Sequence, residues 1–257
     1  MDIKSFFNHQ VLIIDDLLAP EEFARLSGYA TGRRYLGRQN FSGYRMSYAL
    51  QNVIHLTPGG MQHAPALAEE AAARRVIAAM PTGEPPDLVT DRFEELSELI
   101  APTVGRTDCD WYGYTRTMFR SKAGVGLPWH SDAGIYSGAY IFYASPTWDA
   151  DWGGELCAQS GICTDLHGRS RDDKVALLNG GTYFYPRPNR LIVIRGGTPH
   201  KVSAVDASAG VHRHTITGFF LNEKGVETKE KELMNGYRSA PLWRKIAIRT
   251  AMRLLKA

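Results

Sequence analysis

Cysteine is scarce in this chain, and long apolar runs are missing. The 3 cysteines among 257 residues are Cys109, Cys157 and Cys163. They form no CxxC pair, and their odd number argues against a disulfide framework. No apolar run approaches the roughly 20 residues that span a bilayer, and Asp15 and Asp16 interrupt the only signal-peptide-like stretch. We therefore expect a cytoplasmic protein without a transmembrane segment.

The chain also lacks a large excess of charge of either sign. Its formal net charge is +3 and its pI about 8.7, with 44% hydrophobic and 22% charged residues. This composition is typical of a globular protein. So small an excess permits an anionic substrate but gives no clear indication of a nucleic-acid site. Without repeats, low-complexity segments or linkers, the sequence predicts one domain over residues 1–257.

Helical patterns come first in the chain. Pro20 is placed to begin a helix, with acidic residues in the first turn. Residues 29–63 have no clean period and predict loops and short strands that form a substrate-facing flap. The other predicted elements before residue 110 are a buried strand Val11–Asp15 and helices over Ala66–Met80 and Asp91–Ile100. The helical support is thus expected roughly over residues 17–100.

From Asp110 onward the hydrophobic period changes to two, which is typical of strands. The predicted strands are Trp111–Arg120, Gly138–Ala144, Glu155–Ala158, Leu191–Arg195 and Arg213–Leu221. Helices followed by many short strands predict an α+β chain. Its core, roughly residues 110–222, is expected to be a double-stranded β-helix, the barrel of jelly-roll type.

The segment 241–257 has the pattern of an amphipathic helix with five cations and no acid. One interpretation is a terminal helix that packs its apolar face on the domain. The other is peripheral contact with a membrane surface or an acidic partner. The oligomeric state is not indicated by the sequence.

His130 and Asp132 are separated by one residue, so an extended chain would project both to the same side. Two imidazoles and one carboxylate on one face of an octahedron bind Fe(II) and leave three positions open for exchangeable ligands. His200 is the best candidate for the second imidazole because it follows a buried strand and a Gly-Gly turn. His212 and His214 would point away from Arg213 between them.

Five segments carry a family resemblance: HSD from residue 130, YIFYAS, WDADWGGEL, NRLIVIRGGTPHKV and RHTITGFF. Their order and spacing resemble the Fe(II)- and 2-oxoglutarate-dependent oxygenases of the prolyl-4-hydroxylase-like branch. The resemblance covers most of residues 111–221 and, more loosely, VLIIDDLLAPEEFARL near the start. It implies Fe(II) as metal, 2-oxoglutarate as cosubstrate and O₂.

The resemblance implies that His130, Asp132 and His200 are the iron ligands. Through Asp132, the resemblance also implies an outcome for the reaction. Relatives that halogenate have a small residue at this position, which leaves room for chloride on the iron. A carboxylate there favours hydroxylation.

The resemblance further implies a set of cosubstrate-binding residues. Arg213 matches the basic residue that grips the distal carboxylate of 2-oxoglutarate, and a guanidinium offers a planar fork for that group. Tyr143 resembles a tyrosine that hydrogen-bonds the same carboxylate, and Thr217 resembles a pocket-lining hydroxyl. Phe119 falls near a position where relatives often place a cosubstrate-binding tyrosine. The alternatives are a core tyrosine, an ordinary strand threonine and a surface cation.

The sequence indicates the substrate-binding residues less clearly than the metal and cosubstrate residues. Arg116, Arg120 and Tyr136 are candidate substrate contacts, and solvated surface arginines are the alternative. We predict a dioxygenase that hydroxylates an unactivated C–H of a small polar metabolite, such as an amino acid or a natural-product intermediate. The alternatives are an oxygenase for a macromolecule (a peptidyl side chain, a glycan or lipid headgroup, or alkylated nucleic acid) and a non-catalytic jelly-roll binding module.

Overall fold

A computed structural model describes residues 1–35, 37–41, 44–64, 84–170, 172–174, 178 and 180–239. The helices predicted over Ala66–Met80 and over residues 241–257 lie outside the described residues. No helix in the described part of the chain combines the length and hydrophobicity needed to cross a membrane.

The strands of the described chain form two antiparallel sheets. The strands are β1 (Asp2–Phe6), β2 (Val11–Asp15), β3 (Gly37–Phe41), β4 (Tyr44–Leu56), β5 (Gly113–Ser121), β6 (Leu127–His130), β7 (Tyr136–Tyr143), β8 (Leu156–Ala158), β9 (Thr182–Phe184), β10 (Leu191–Arg195), β11 (His200–Val202) and β12 (Arg213–Leu221). The major sheet has the order β1-β2-β10-β7-β12-β5-β4-β3, and the minor sheet the order β6-β11-β8-β9. This is the predicted double-stranded β-helix.

The helices are few and mostly short. They are α1 (Pro20–Gly32), α2 (Gly60–His63), α3 (Asp87–Thr90), α4 (Arg92–Glu95), α5 (Ser97–Val104) and α6 (Glu223–Ser239). The single helix predicted over Asp91–Ile100 is wrong, since Leu96 (φ −91°, ψ 3°) leaves helical geometry between α4 and α5. The prediction of loops and short strands for 29–63 is also wrong in part, because β4 is a strand of 13 residues.

Alternation along the major sheet divides the apolar core into two layers. Leu12 and Ile14 of β2 pack with Leu26, Phe93 and Ile100 of the helices. Val11 and Ile13, on the opposite face, pack against the minor sheet. Because successive side chains of a strand point to opposite faces, one strand serves both layers. The helices thus cover one face of the major sheet, and its other face is directed at the minor sheet.

Candidate active site

Two neighbouring strands of the minor sheet bring the predicted histidine ligands together. His130 ends β6, His200 begins β11, and the two residues are direct partners in the antiparallel register. Their ring centroids are 4.2 Å apart. The predicted extended placement of Asp132 is wrong in detail, because Asp132 lies in the loop after β6. The Gly197 N–H donates to the Asp132 carbonyl at 2.6 Å and ties this loop to the turn before His200.

The three side chains converge closely enough to hold a metal ion. One ligand atom from each of His130, Asp132 and His200 lies within 4.8 Å of the others, and His200 Nε2 is 3.4 Å from Asp132 Oδ2. Burial alone lowers the pKa of His200, but the hydrogen bond and charge of Asp132 outweigh it and the pKa is raised. Two imidazoles and a carboxylate form the donor set of the 2-His-1-carboxylate facial triad.

Backbone carbonyls orient both imidazoles. His130 Nδ1 lies 2.7 Å from the Pro128 carbonyl oxygen, and His200 Nδ1 lies 2.9 Å from the Thr198 carbonyl oxygen. Since a carbonyl only accepts, Nδ1 carries the proton and Nε2 carries the lone pair that binds a metal. The sequence did not predict these carbonyls, although each lies two residues before its histidine.

The side chains of His130, Asp132 and His200 open onto a cavity of about 240 Å³ between the sheets. Alternate side chains on one face of three adjacent strands of the major sheet form the wall of this cavity. The lining residues are Thr115, Thr117 and Phe119 of β5, Ala139, Ile141 and Tyr143 of β7, and Arg213, Thr215, Thr217 and Phe219 of β12. All four predicted cosubstrate-binding residues therefore lie around one cavity. Thr117 and Thr215 were missed, although the period of two places them on the same faces as Phe119 and Arg213.

Arg213 is a buried cation without a carboxylate partner among the described residues. It is only 4% exposed. Its Nη1 donates to the Gly154 carbonyl and its Nε has no hydrogen-bond partner. Burial lowers the pKa of Arg213, yet a guanidinium stays charged in proteins. An unpaired buried donor costs free energy, so the cavity favours an anionic ligand beside Arg213.

Tyr143 supplies a second unsatisfied donor in this cavity. Its hydroxyl is buried and has no hydrogen-bond partner. Burial raises the pKa of Tyr143 to about 12, and the charge of Arg213 opposes that rise. A neutral phenol beside a fixed guanidinium can donate to the same carboxylate. These two orphaned donors fit a 2-oxoglutarate carboxylate.

The turn between Trp148 and Gly154 positions Arg213. Trp148 Nε1 donates to the Gly153 carbonyl at 3.0 Å, and Gly154 N–H donates to the Ala204 carbonyl at 3.1 Å. Gly154 has φ +76°, and a Cβ there would lie 2.9 Å from Arg213 Nη1. Only glycine therefore permits both this backbone and the close approach of the guanidinium.

The predicted substrate contacts lie elsewhere. Arg116 and Arg120 alternate with the cavity residues of β5 and point to the opposite face. Arg116 is fully buried and forms an ion pair with Asp87, whereas the Arg120 guanidinium lies over the Tyr35 ring. Tyr136 stacks on the cavity residue Phe219, with ring centroids 4.2 Å apart. The two arginines therefore lie outside the cavity.

The Arg116–Asp87 pair gives a stability prediction. Replacing Asp87 by alanine leaves a buried guanidinium without its carboxylate, which should lower the free energy of unfolding by about 3 kcal/mol. The exposed pair Arg169–Asp165 is the control, and Asp165→Ala should cost much less because solvent screens an exposed pair. Urea unfolding of both variants measures the difference. Equal losses would contradict a structural role for the buried pair.

Comparison with known proteins agrees with this site. Residues 115–221 match the family model described as the 2OG-Fe(II) oxygenase superfamily. The comparison with curated proteins gives no match.

Among solved structures, a prolyl-4-hydroxylase from Pseudomonas putida superposes with a TM-score of 0.51 at 14% identity, covering 83% of this chain and 93% of that one. A Trichoplax adhaerens prolyl hydroxylase, in complex with a hypoxia inducible factor peptide fragment, gives 0.51 at 16%, covering 91% and 88%. A 2OG-Fe(II) oxygenase family oxidoreductase from Burkholderia pseudomallei gives 0.51 at 12%, covering 82% and 85%. These likenesses concern the fold. Within this fold, the segment of residues 115–221 is therefore similar to the 2OG-Fe(II) oxygenase superfamily.

Proposed function

We propose that this protein is an Fe(II)- and 2-oxoglutarate-dependent hydroxylase of a small polar metabolite, with succinate and CO₂ as coproducts. One observation supports this most directly. The His130–Asp132–His200 cluster and the buried, carboxylate-free Arg213 face the same cavity. A metal-binding cluster and an anion-binding donor at such positions suit a cosubstrate that has a carboxylate at each end.

The residues take distinct roles in this proposal. His130, Asp132 and His200 would hold Fe(II), which when bound supplies the activation of O₂. Arg213 binds the distal carboxylate of the cosubstrate, and the Tyr143 hydroxyl donates to the same group. Thr217 and Phe119 line the space beside them. The mainly apolar wall excludes water from the reacting atoms.

Asp132 is the residue that favours hydroxylation over halogenation. One oxygen of its carboxylate lies within 4.8 Å of a ring nitrogen of each imidazole. Three protein ligands would leave Fe(II) only the positions that the cosubstrate and O₂ require. Chloride would then have no position. Hydroxylation of a substrate C–H is then the expected outcome.

The size of the cavity supports a small substrate. About 240 Å³ has to accommodate the cosubstrate together with the reacting end of the substrate, and ligand pockets for drug-sized molecules start near 300 Å³.

We propose that residues 1–257 act as one domain. The described cysteines are all free, which is consistent with a cytoplasmic enzyme.

A peptidyl substrate is the second candidate. Two structures of similar fold are prolyl hydroxylases, and one of them was solved with a peptide fragment. Succinate release in the presence of free amino acids, compared with proline-containing peptides, separates the two candidates. Preferential turnover of the peptides would overturn the small-metabolite proposal while leaving the oxygenase proposal intact.

Anaerobic addition of Fe(II) and then 2-oxoglutarate tests the proposed chemistry. The expected result is a weak visible charge-transfer band that requires both components and is lost on chelation. Admission of air should then release succinate. A protein that gives neither the band nor succinate would be a non-catalytic binding module.

Replacement of Tyr143 by phenylalanine should raise the KM for 2-oxoglutarate with little effect on kcat. A hydrogen bond to a charged group contributes about 1.5–3 kcal/mol, so we expect an increase of about tenfold or more. The free energy of unfolding should not fall, because the hydroxyl has no protein partner. Tyr185→Phe, on an exposed side chain, is the matched control. An unchanged KM in Tyr143→Phe would remove this tyrosine from the cosubstrate site.

A further inference from the structure

A second cavity, of about 250 Å³, lies across strand β12 from the candidate active site. Arg213 and His214 are consecutive residues of β12, so their side chains point to opposite faces. Arg213 lines the active-site cavity, whereas His214 lines the second cavity together with Arg120, Ser145 and His212. The two cavities thus share a backbone strand but no lining residue.

The second cavity is positively charged. The Arg120 guanidinium lies 4.9 Å from the centroid of the Tyr35 ring, and among the described residues it forms no ion pair. The pKa of His214 is lowered to about 4 by burial and by the charges of His212 and Arg120. Burial, Arg120 and Lys122 also lower the pKa of His212. No acidic side chain lines the described part of this cavity.

Two further residues that line the same cavity carry hydrogen-bonding groups. His214 is 6% exposed and its Nδ1 has no hydrogen-bond partner. Ser145 Oγ accepts from the His214 backbone N–H at 2.9 Å, so its own hydroxyl proton remains available to donate. A buried nitrogen without a partner costs free energy. A ligand with acceptor oxygens would satisfy both groups.

We propose that the second cavity binds a small oxyanion, a phosphate or a carboxylate, through Arg120, Ser145 and His214. The guanidinium supplies charge and a planar pair of donors. The serine hydroxyl, and the imidazole once an anion has brought a proton to Nδ1, complete the donor set. This site is separate from the proposed cosubstrate site because Arg213 is on the opposite face of β12.

Calorimetric titration of the full-length protein with inorganic phosphate, and separately with acetate, tests the proposal. We expect a saturable site that persists in Arg213→Met. Arg120→Gln should weaken binding about tenfold or more, as loss of a charged hydrogen bond does. Lys122→Gln is the matched control: Lys122 is exposed and outside the lining, and its loss should change affinity less than about twofold. Ser145→Ala, which removes only the hydroxyl donor, should also weaken binding.

Two further measurements locate the anion. Arg213→Met should leave the phosphate affinity unchanged. In the wild type, phosphate should shift the imidazole nitrogen resonances of His214, assigned with His214→Asn, and raise the pKa of this residue. Tighter binding of phosphate than of acetate would indicate a phosphorylated ligand, and the reverse a carboxylated one.

Three results would overturn the proposal. Equal losses in Arg120→Gln and Lys122→Gln would mean diffuse surface attraction. Loss of binding in Arg213→Met would place the anion in the active-site cavity. The absence of saturable heat with both anions would mean that there is no site. None of these results bears on succinate formation, so the proposed function is tested independently.

Discussion

Asp132→Ala and His200→Ala should each abolish succinate formation. Loss of even an outer hydrogen-bond partner of a metal ligand costs about 10–100-fold in metal affinity or activity, so removal of a ligand should cost at least about a hundredfold. The physical reason is geometric. The cluster has three converging ligand atoms. If one of them is removed, the two that remain would bind the metal weakly and would not keep its open positions on one side. Fe(II) content after anaerobic loading and dialysis should fall together with activity.

Matched variants separate this effect from a general loss of structure. Asp151→Ala removes an exposed carboxylate, and His9→Asn removes an exposed imidazole while retaining a residue type that tolerates the positive φ of position 9 (64°). Both controls should retain iron and activity. The ligand variants should retain the native circular dichroism spectrum. Wild-type turnover in His200→Ala would assign the third ligand to another residue.

Two strands of the major sheet could be predicted from sequence because clear boundaries flank runs of strand-forming residues. Successive side chains of a strand alternate between its two faces. The bounds of β10 and β12 match the predicted Leu191–Arg195 and Arg213–Leu221. Glycines close β10, and a polar loop precedes β12. This alternation also placed Arg213 and Thr217 on one face. The placement of His214 on the other face follows from the same period.

Most of the short strands, β8 excepted, were not predicted, since a strand of three or four residues is too short to display a period. β6 and β11 have four and three residues, yet they carry His130 and His200. The loop position of Asp132 is fixed by the Gly197 N–H, a contact across the chain that no local pattern encodes. α6 was missed because its sequence is polar over most of its length.

Arg116 shows a different limit to what could be predicted from the sequence. Its alternation with Thr115 and Thr117 indicates two faces but not which one is directed at the metal. The carboxylate that pairs with it is 29 residues away, in α3. Only packing of the helices on the major sheet defines this contact. Tertiary context therefore decides between a substrate-binding and a structural arginine.

Replacement of Arg213 by methionine should raise the KM for 2-oxoglutarate by about thirtyfold or more. Truncating one partner of a buried, hydrogen-bonded charge pair costs about 2–5 kcal/mol, and each 1.4 kcal/mol corresponds to about tenfold. The apo protein should lose little stability, because methionine removes a buried cation whose Nε has no partner, and this offsets the loss of its hydrogen bond to the Gly154 carbonyl. In the wild type, cosubstrate at about 100 times its Kd should add about 2.7 kcal/mol of stability, and this increment should be lost in the variant.

Discrimination between 2-oxo acids makes the test specific to the distal carboxylate. Pyruvate has the 2-oxo acid end of the cosubstrate but no distal carboxylate, so Arg213 has nothing to bind in it. The wild type should favour 2-oxoglutarate strongly in metal-dependent binding, and the preference should collapse in Arg213→Met because only affinity for 2-oxoglutarate falls. Arg25→Met, on the exposed side of α1, should behave as wild type. A retained preference would place the carboxylate against another donor of the cavity, since Arg213 would then contribute only to packing beside the Gly154 turn.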